Sequence, residues 1–444
     1  NGPIWNKLPR FAFPVAATAI LEQLFNASDV AIVGNFTGSK STIAVAAVGA
    51  SSPVIGLILN LFIGIALGAT VVIANAIGSG DRETVKHSVH TSIVVSLIGG
   101  VIVALIGELF AGKLLGMLNV PDEVFPYALL YLRIYLLGLP TIFLYNFEAA
   151  IFRSIGETKI PLKALAISGV LNVILNLFFV IVLKMTVNGV AIATVISNVV
   201  SSAILYRKLL KSEREIHVET RELRINLAVL GKILRIGLPA GIQSAVFAIS
   251  NIVIQSAINS LGTTVMAASS AAFNIEIFAY DVLNSFSQAC TTFVGQNYGA
   301  GNKERVRNSY FVSLAYSFGI GLVIGVTLEI FGTQFLSLFT TEQAVVDAGM
   351  KRLGIMGFSY CISAFMDATI AASRGLGKSV VPTIIVIMGS CVFRIIWVYT
   401  IFAYFKTIPS LYLLYVFSWS ITAIVEMIYF KVIYHKQMAV LRTA

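Results

Sequence analysis

The chain has 444 residues, of which 57% are hydrophobic and 12% charged, with a mean hydropathy of +0.88 and a formal net charge of +10. Soluble domains carry about 25% charged residues, so this composition excludes a cytosolic enzyme, a disordered chain and a disulfide-framed secreted domain. It leaves a polytopic membrane protein.

A bilayer-crossing helix needs about 20 apolar residues. Apolar stretches of that length fall at 10–35, 48–77, 88–111, 125–152, 161–183, 187–207, 232–261, 264–298, 309–332, 348–373, 380–405 and 409–434. The expected fold is therefore all-α, with twelve transmembrane helices. The first stretch runs on through Val33, too long for a cleavable signal peptide. Counting Lys and Arg on alternate connections places 23 of the 31 on the side of the N-terminus and six on the other, Lys351 and Arg352 among the six; Arg133 and Arg394 lie inside spans. The positive-inside rule then puts both termini in the cytoplasm. It also accounts for the positive charge without nucleic acid.

The polar run KLLKSEREIHVETRELRINL, 208–227, separates the sixth span from the seventh. It divides the chain into an N-terminal bundle, 1–207, a cytoplasmic linker, 208–231, and a C-terminal bundle, 232–444. The halves repeat. GSGDRETVKHS at 78–88 matches GAGNKERVRNS at 299–309, and RSIGETKIP at 153–161 matches RGLGKSVVP at 374–382, both at an offset of 221 residues. Six spans per half is an even number, so the two bundles share one orientation and a pseudo-twofold axis along the membrane normal. Such repeats characterise secondary transporters. No GxxxxGK[ST] phosphate cradle is present, so the energy source is an ion gradient or the substrate gradient. Cys290, Cys361 and Cys391 lie in apolar stretches without CxxC spacing, and the four histidines form no HExxH pair. No organic cofactor and no enzymatic activity are expected.

Ionisable side chains inside a membrane are costly and mark pathways or partner pairs. The first span carries Glu22, Asn26 and Asp29 at i, i+4 and i+7, with Gln23 beside them; that spacing is one helical face. The fifth span carries Asn172 and Asn176, and the sixth Thr194. At 1.5 Å per residue, Asp29, Asn176 and Thr194 all sit roughly 10 Å below the outer surface. A carboxylate, two amides and a hydroxyl at one depth suit Na⁺, whose ligands would be Asp29, Asn172, Asn176 and Thr194, or a protonatable acid with hydrogen-bond partners. They equally suit a static cluster tying helices together. In the second half, Gln255 lies on the seventh span, Glu276, Tyr280 and Asn284 step by four along the eighth, Asp367 is on the tenth and Arg394 is at mid-depth on the eleventh. These six join Glu22, Gln23 and Asn26 as substrate-cavity candidates. Arg394 needs an anionic partner, and Glu276 and Asp367 are the candidates. Either a static buried pair or a substrate contact satisfies it.

The ordered set FNASDVAIVGNF, IGSGDRETVKHS, NVILN, GVAIAT and the paired loops RSIGETKIP and RGLGKSVVP resembles the multidrug and toxic compound extrusion (MATE) family, nearer its bacterial DinF-like branch than its NorM-like branch. The resemblance implies a V-shaped pair of six-helix bundles around a central cavity. It implies an antiporter in a prokaryotic inner membrane, acting as a monomer, that expels cationic or amphipathic small molecules against inward H⁺ or Na⁺. On this resemblance the helix-1 acid falls on Asp29, the Asn-x3-Asp pair on Asn172 and Asn176, and the helix-6 threonine on Thr194. Two departures stand out: Asn176 replaces the second acid, and Phe247 and Ser363 stand where NorM-like members carry acids. A flippase for lipid-linked or amphiphilic cargo is the alternative on the same scaffold, and a non-transporting receptor is the alternative from another class.

Overall fold

The computed structural model describes residues 2–443, and they form helices and turns with no β-strand among the described residues. The helices are α1 (Ile4–Phe36), α2 (Ser41–Ser79), α3 (Arg82–Met117), α4 (Phe125–Leu137), α5 (Leu139–Ser154), α6 (Lys159–Leu177), α7 (Val187–Leu210), α8 (Leu227–Ser260), α9 (Thr263–Gly299), α10 (Lys303–Ser337), α11 (Gln343–Gly375), α12 (Val380–Val386), α13 (Phe393–Trp397), α14 (Ala403–Phe405) and α15 (Ile408–Thr443). Wider π-helical turns extend α6 through Val182 and join α12, α13 and α14. Helices α4 and α5 form a pair bent by 51°. The bend falls at Gly138–Pro140, where proline lacks the amide that would continue the ladder.

Among the described residues nine helices are long and apolar enough to cross a membrane, or ten counting the bent pair as one span. Helices α1 and α9 have the length, 33 and 37 residues, but are diluted by Glu22, Gln23, Asn26 and Asp29 in one and by Asn274, Glu276, Asp281 and Asn284 in the other. Large apolar side chains are exposed in continuous stripes. On α3 the stripe is Ile98, Val101, Ile102, Leu105 and Leu109, at the i, i+3, i+4 spacing of one face. Apolar surface on this scale is a lipid-facing surface.

Packing groups the chain into two compact units. The first spans Ala17–Ile77 and Asp81–Gly237; the second comprises the residues up to Ala16, Gly78–Gly80 and everything from Leu238 onward. The start of α8 belongs to the first unit because Val229, Ile233 and Ile236 are buried with Ile65, Ala69 and Val72 of α2. A Cβ on Gly68 would lie 2.2 Å from the Ile233 carbonyl oxygen, so only glycine permits that crossing. The start of α1 belongs to the second unit, where Leu8, Phe11, Ala12 and Val15 pack on Phe286 and Ala289. Within the linker, residues 216–226 pack onto the first unit. Ile216 and Val218 are buried, the Glu219 amide donates to His90 Nε2 at 3.1 Å, the Asn226 amide donates to Thr91 Oγ1 at 3.0 Å, and Lys86 pairs with Glu222 at 2.8 Å. The Lys86 contact holds the Glu222 carboxyl below its ordinary range.

The repeated loops have repeated backbones. Gly80, Gly156, Gly301 and Gly377 take φ of 73°, 85°, 70° and 83°. The following amides of Asp81, Glu157, Asn302 and Lys378 each donate back to the carbonyl five residues earlier at 3.0 Å. This is the Schellman closure, in which a left-handed residue satisfies the last carbonyls of a helix. Asp81 and Asn302 then cap the next helix, accepting from the amides of Thr84 and Arg305 at 3.1 Å.

Candidate functional site

The face of α1 identified from its spacing opens onto a cavity of about 200 Å³ in the first unit, lined by Glu22, Asn26, Asp29, Asn172 and Thr194 with the phenol rings of Tyr131, Tyr135 and Tyr145. No basic side chain lines it. Asp29 is 6% exposed. Its Oδ1 accepts from Asn172 Nδ2 at 2.9 Å and from Asn176 Nδ2 in a shorter contact. Asn172 and Asn176 stand on one face of α6 because they are four residues apart. Their carbonyl oxygens are buried and accept no hydrogen bond among the described residues. Thr194 lines the same cavity and donates to the Val190 carbonyl at 3.0 Å. Two lining residues meet closely: a Cβ on Gly169 of α6 would fall 1.9 Å from the Phe25 ring of α1.

Asp29 is the one carboxylate among the four expected cation ligands, and Glu22 lines the same cavity. No group of three or more His, Cys, Asp or Glu able to hold a metal occurs among the described residues. What the Asp29 cluster offers a cation is one carboxylate and two amide oxygens that the protein leaves unpaired. Gln23 is not among the residues lining this cavity.

The second unit contains a larger cavity, about 630 Å³, lined by Gln243, Asn251, Gln255, Tyr280, Asp367 and Arg394 among others. Phe247 and Ser363 also line it. Glu276 and Asn284 do not. Glu276 is fully buried and forms a two-point ion pair with Arg352 of α11, Nε to Oε1 at 3.1 Å and Nη2 to Oε2 at 2.7 Å. Two expectations are corrected by this pair. Arg352 is not on an outer connection, because α11 begins at Gln343 and draws it inside, where it is 6% exposed. Nor is Glu276 the partner of Arg394, whose Nε donates instead to Ser418 Oγ at 3.1 Å. The charge count assigned Arg352 to the outer side together with Lys351, although both fall at the start of the 348–373 stretch.

Sequence reasoning also missed Glu148 of α5, fully buried, which accepts from Ser202 of α7 at 2.9 Å while its second oxygen is unpartnered. An acid within the span-length run at 125–152 was the available signal. Near the helix ends, Arg133 and Glu108 approach to 3.8 Å with the arginine half exposed.

The chain has counterparts along most of its length. The MatE family profile matches residues 14–178 and 239–400. The probable multidrug resistance protein YoeA of Bacillus subtilis is 28% identical over 393 residues, 87% of this chain and 84% of that protein. The probable multidrug resistance protein NorM of Thermotoga maritima is 26% identical over 414 residues, 91% of this chain and 87% of its own length. Among solved structures, a MATE in the bent conformation superimposes with a TM-score of 0.92 at 24% identity, covering 99% of this chain and 98% of the other. With the matched stretches taking in most of both halves, the chain belongs to the MATE family.

Proposed function

We propose that the protein is a multidrug efflux antiporter that exports cationic or amphipathic compounds in exchange for H⁺ or Na⁺, with Asp29 as the coupling residue. Its twelve spans are the ten apolar ones together with the more polar α1 and α9. They form two six-helix bundles related by an axis along the membrane normal, with both termini in the cytoplasm of a prokaryotic cell. The relatives named as multidrug resistance proteins support the transport class, and the distribution of basic residues, 23 on one side against five on the other once Arg352 is placed inside α11, supports the orientation.

The observation that carries the reading is the pairing of one buried carboxylate with two unpartnered amide oxygens, Asn172 Oδ1 and Asn176 Oδ1. An unneutralised carboxylate at this depth is costly. A cation arriving from outside, whether a proton on Asp29 or Na⁺ shared with the amide oxygens, removes that cost and draws α1 toward α6. Coupling requires the cation to bind one arrangement of α1 better than the other. Pro9 and Pro14 inside α1 each remove a helix hydrogen bond and give the helix a place to bend. A drug cation competes for the same acidic cavity, since Glu22 and Asp29 both line it and no basic side chain is among the lining residues. Occupation by one therefore excludes the other, which is what antiport needs.

The test is ethidium efflux from proteoliposomes, with pH and Na⁺ gradients imposed and collapsed separately. Asp29→Asn is expected to abolish gradient-driven efflux while the protein still inserts and elutes as folded. Undiminished efflux in that variant refutes the assignment.

A further inference from the structure

The cavity of the second unit differs in charge from that of the first. Arg394 is 3% exposed, lies on α13 and lines the cavity. Beyond the Nε bond to Ser418, its Nη2 is buried with no hydrogen-bond partner among the described residues. No carboxylate lies within ion-pair distance of it there: Glu276 is committed to Arg352, and Asp367, which faces the same cavity, pairs with neither arginine. The guanidinium carbon sits 4.6 Å from the Tyr415 ring centroid, 5.5 Å from Phe247 and 5.7 Å from Trp419. Three ring faces offset part of the cost of burying the charge, but they cannot satisfy an N–H fork shaped for two oxygens.

A group completing this site must bring negative charge, oxygens that accept from the free guanidinium nitrogens, and a flat apolar body to lie against the rings. The geometry points to a binding site in the second unit for aromatic amphiphiles bearing a carboxylate, with the carboxylate on Arg394 and the ring among Phe247, Tyr415 and Trp419. Gln243, Asn251 and Gln255 give the rest of such a molecule neutral hydrogen-bond partners. Asp367 disfavours an anion near its own part of the lining, and Arg352, which also lines the cavity, is already neutralised by Glu276, which assigns the acidic end of the ligand to Arg394. The inference goes beyond export of cations and does not depend on coupling at Asp29.

The probes are 2-naphthoate and 2-naphthamide, which share the ring and differ in charge. Binding is measured by titration calorimetry on the purified full-length protein in detergent. Wild type is expected to bind the naphthoate about tenfold more tightly than the amide, or better, as a charge-assisted bidentate contact allows. Arg394→Gln erases the preference, and Arg394→Lys keeps part of it and guards against a folding artefact. Asp367→Asn binds naphthoate at least as tightly as wild type. Asp29→Asn, which stops efflux under the proposed function, leaves the preference intact, so the two ideas fail separately. Equal affinity for the two probes in wild type, no binding of either, a preference that survives Arg394→Gln, or weaker naphthoate binding by Asp367→Asn would each overturn the assignment. The wild-type comparison decides the matter even if a variant does not fold.

Discussion

Replacing Glu276 by leucine removes one half of the ion pair between α9 and α11 and leaves Arg352 behind. The Arg352 side chain is 8% exposed and that of Glu276 fully buried, so little solvent reaches the pair, although Arg352 also borders the larger cavity. The two lost contacts, at 3.1 and 2.7 Å, are charge-assisted and worth about 1.5–3 kcal/mol each. Removing one member of a buried pair typically costs about 3–5 kcal/mol, because the surviving charge has no compensation. The Tyr412 ring, 5.0 Å from the guanidinium carbon, already makes this contact in wild type and so does not offset the loss. Glu276→Leu and Arg352→Met are therefore each expected to destabilise by about 3 kcal/mol or more. The double variant removes both charges together and is expected to lie within about 1 kcal/mol of wild type or above it. Denaturant unfolding of the purified protein in detergent, followed by tryptophan fluorescence, measures all four corners of the cycle; Trp419 lies 6.4 Å from Tyr360 in the same core. Additive single effects, or a single substitution costing less than about 1 kcal/mol, would show that the pair is not coupled as its geometry requires.

Gly169→Ala places a methyl inside the Phe25 ring position and forces that ring into the acidic cavity. Reduced ethidium efflux with a retained fold is expected, and unchanged efflux would show that the Gly169–Phe25 contact does not constrain transport. At Gly156 and Gly377 a methyl on the α-carbon would have nothing within 4 Å of it, so Ala there isolates backbone strain. Each is expected to cost about 1–2 kcal/mol, with Asn milder than Ala; equal stability by denaturant unfolding would contradict the left-handed assignment. The Asp81 cap gives a pH dependence. Its carboxyl accepts from the Thr84 hydroxyl and amide, which holds it below its ordinary range. A depressed acid contributes stability above its unfolded value and loses it as the pH falls through the folded one. Protection of the Thr84 amide in hydrogen exchange is therefore expected to drop at the acid end in wild type. Asp81→Asn, the residue type found at Asn302, is expected to flatten that dependence, and an unaltered profile would locate the titration elsewhere.

The apolar runs marked the helices closely. The run at 125–152 became α4 and α5, broken at Gly138–Pro140, and the loop motifs at offset 221 became matching Schellman turns. Those features depend on local chemistry: apolar length, glycine at positive φ and a capping Asp or Asn. The Asp29 face was legible for the same reason, since i, i+4, i+7 spacing defines a helical stripe. The two arginines of the second half were not. Arg352 and Arg394 both sit in helices near aromatic and acidic residues, and nothing in the linear order says which of them takes Glu276. Depth and rotation of α11 and α13 against α9 and α15 decide it.

From the sequence alone came a polytopic helical membrane protein, its internal duplication, and an acidic stripe on its first helix. These follow from composition and periodicity, which every residue reports locally. Tertiary structure decided that part of the linker packs onto the first unit, that Glu276 neutralises Arg352, and that Arg394 faces a cavity bonded to Ser418 and beside three rings. A buried charge takes its meaning from the single group that neutralises it. That group is usually far away in sequence, so only packing can name it.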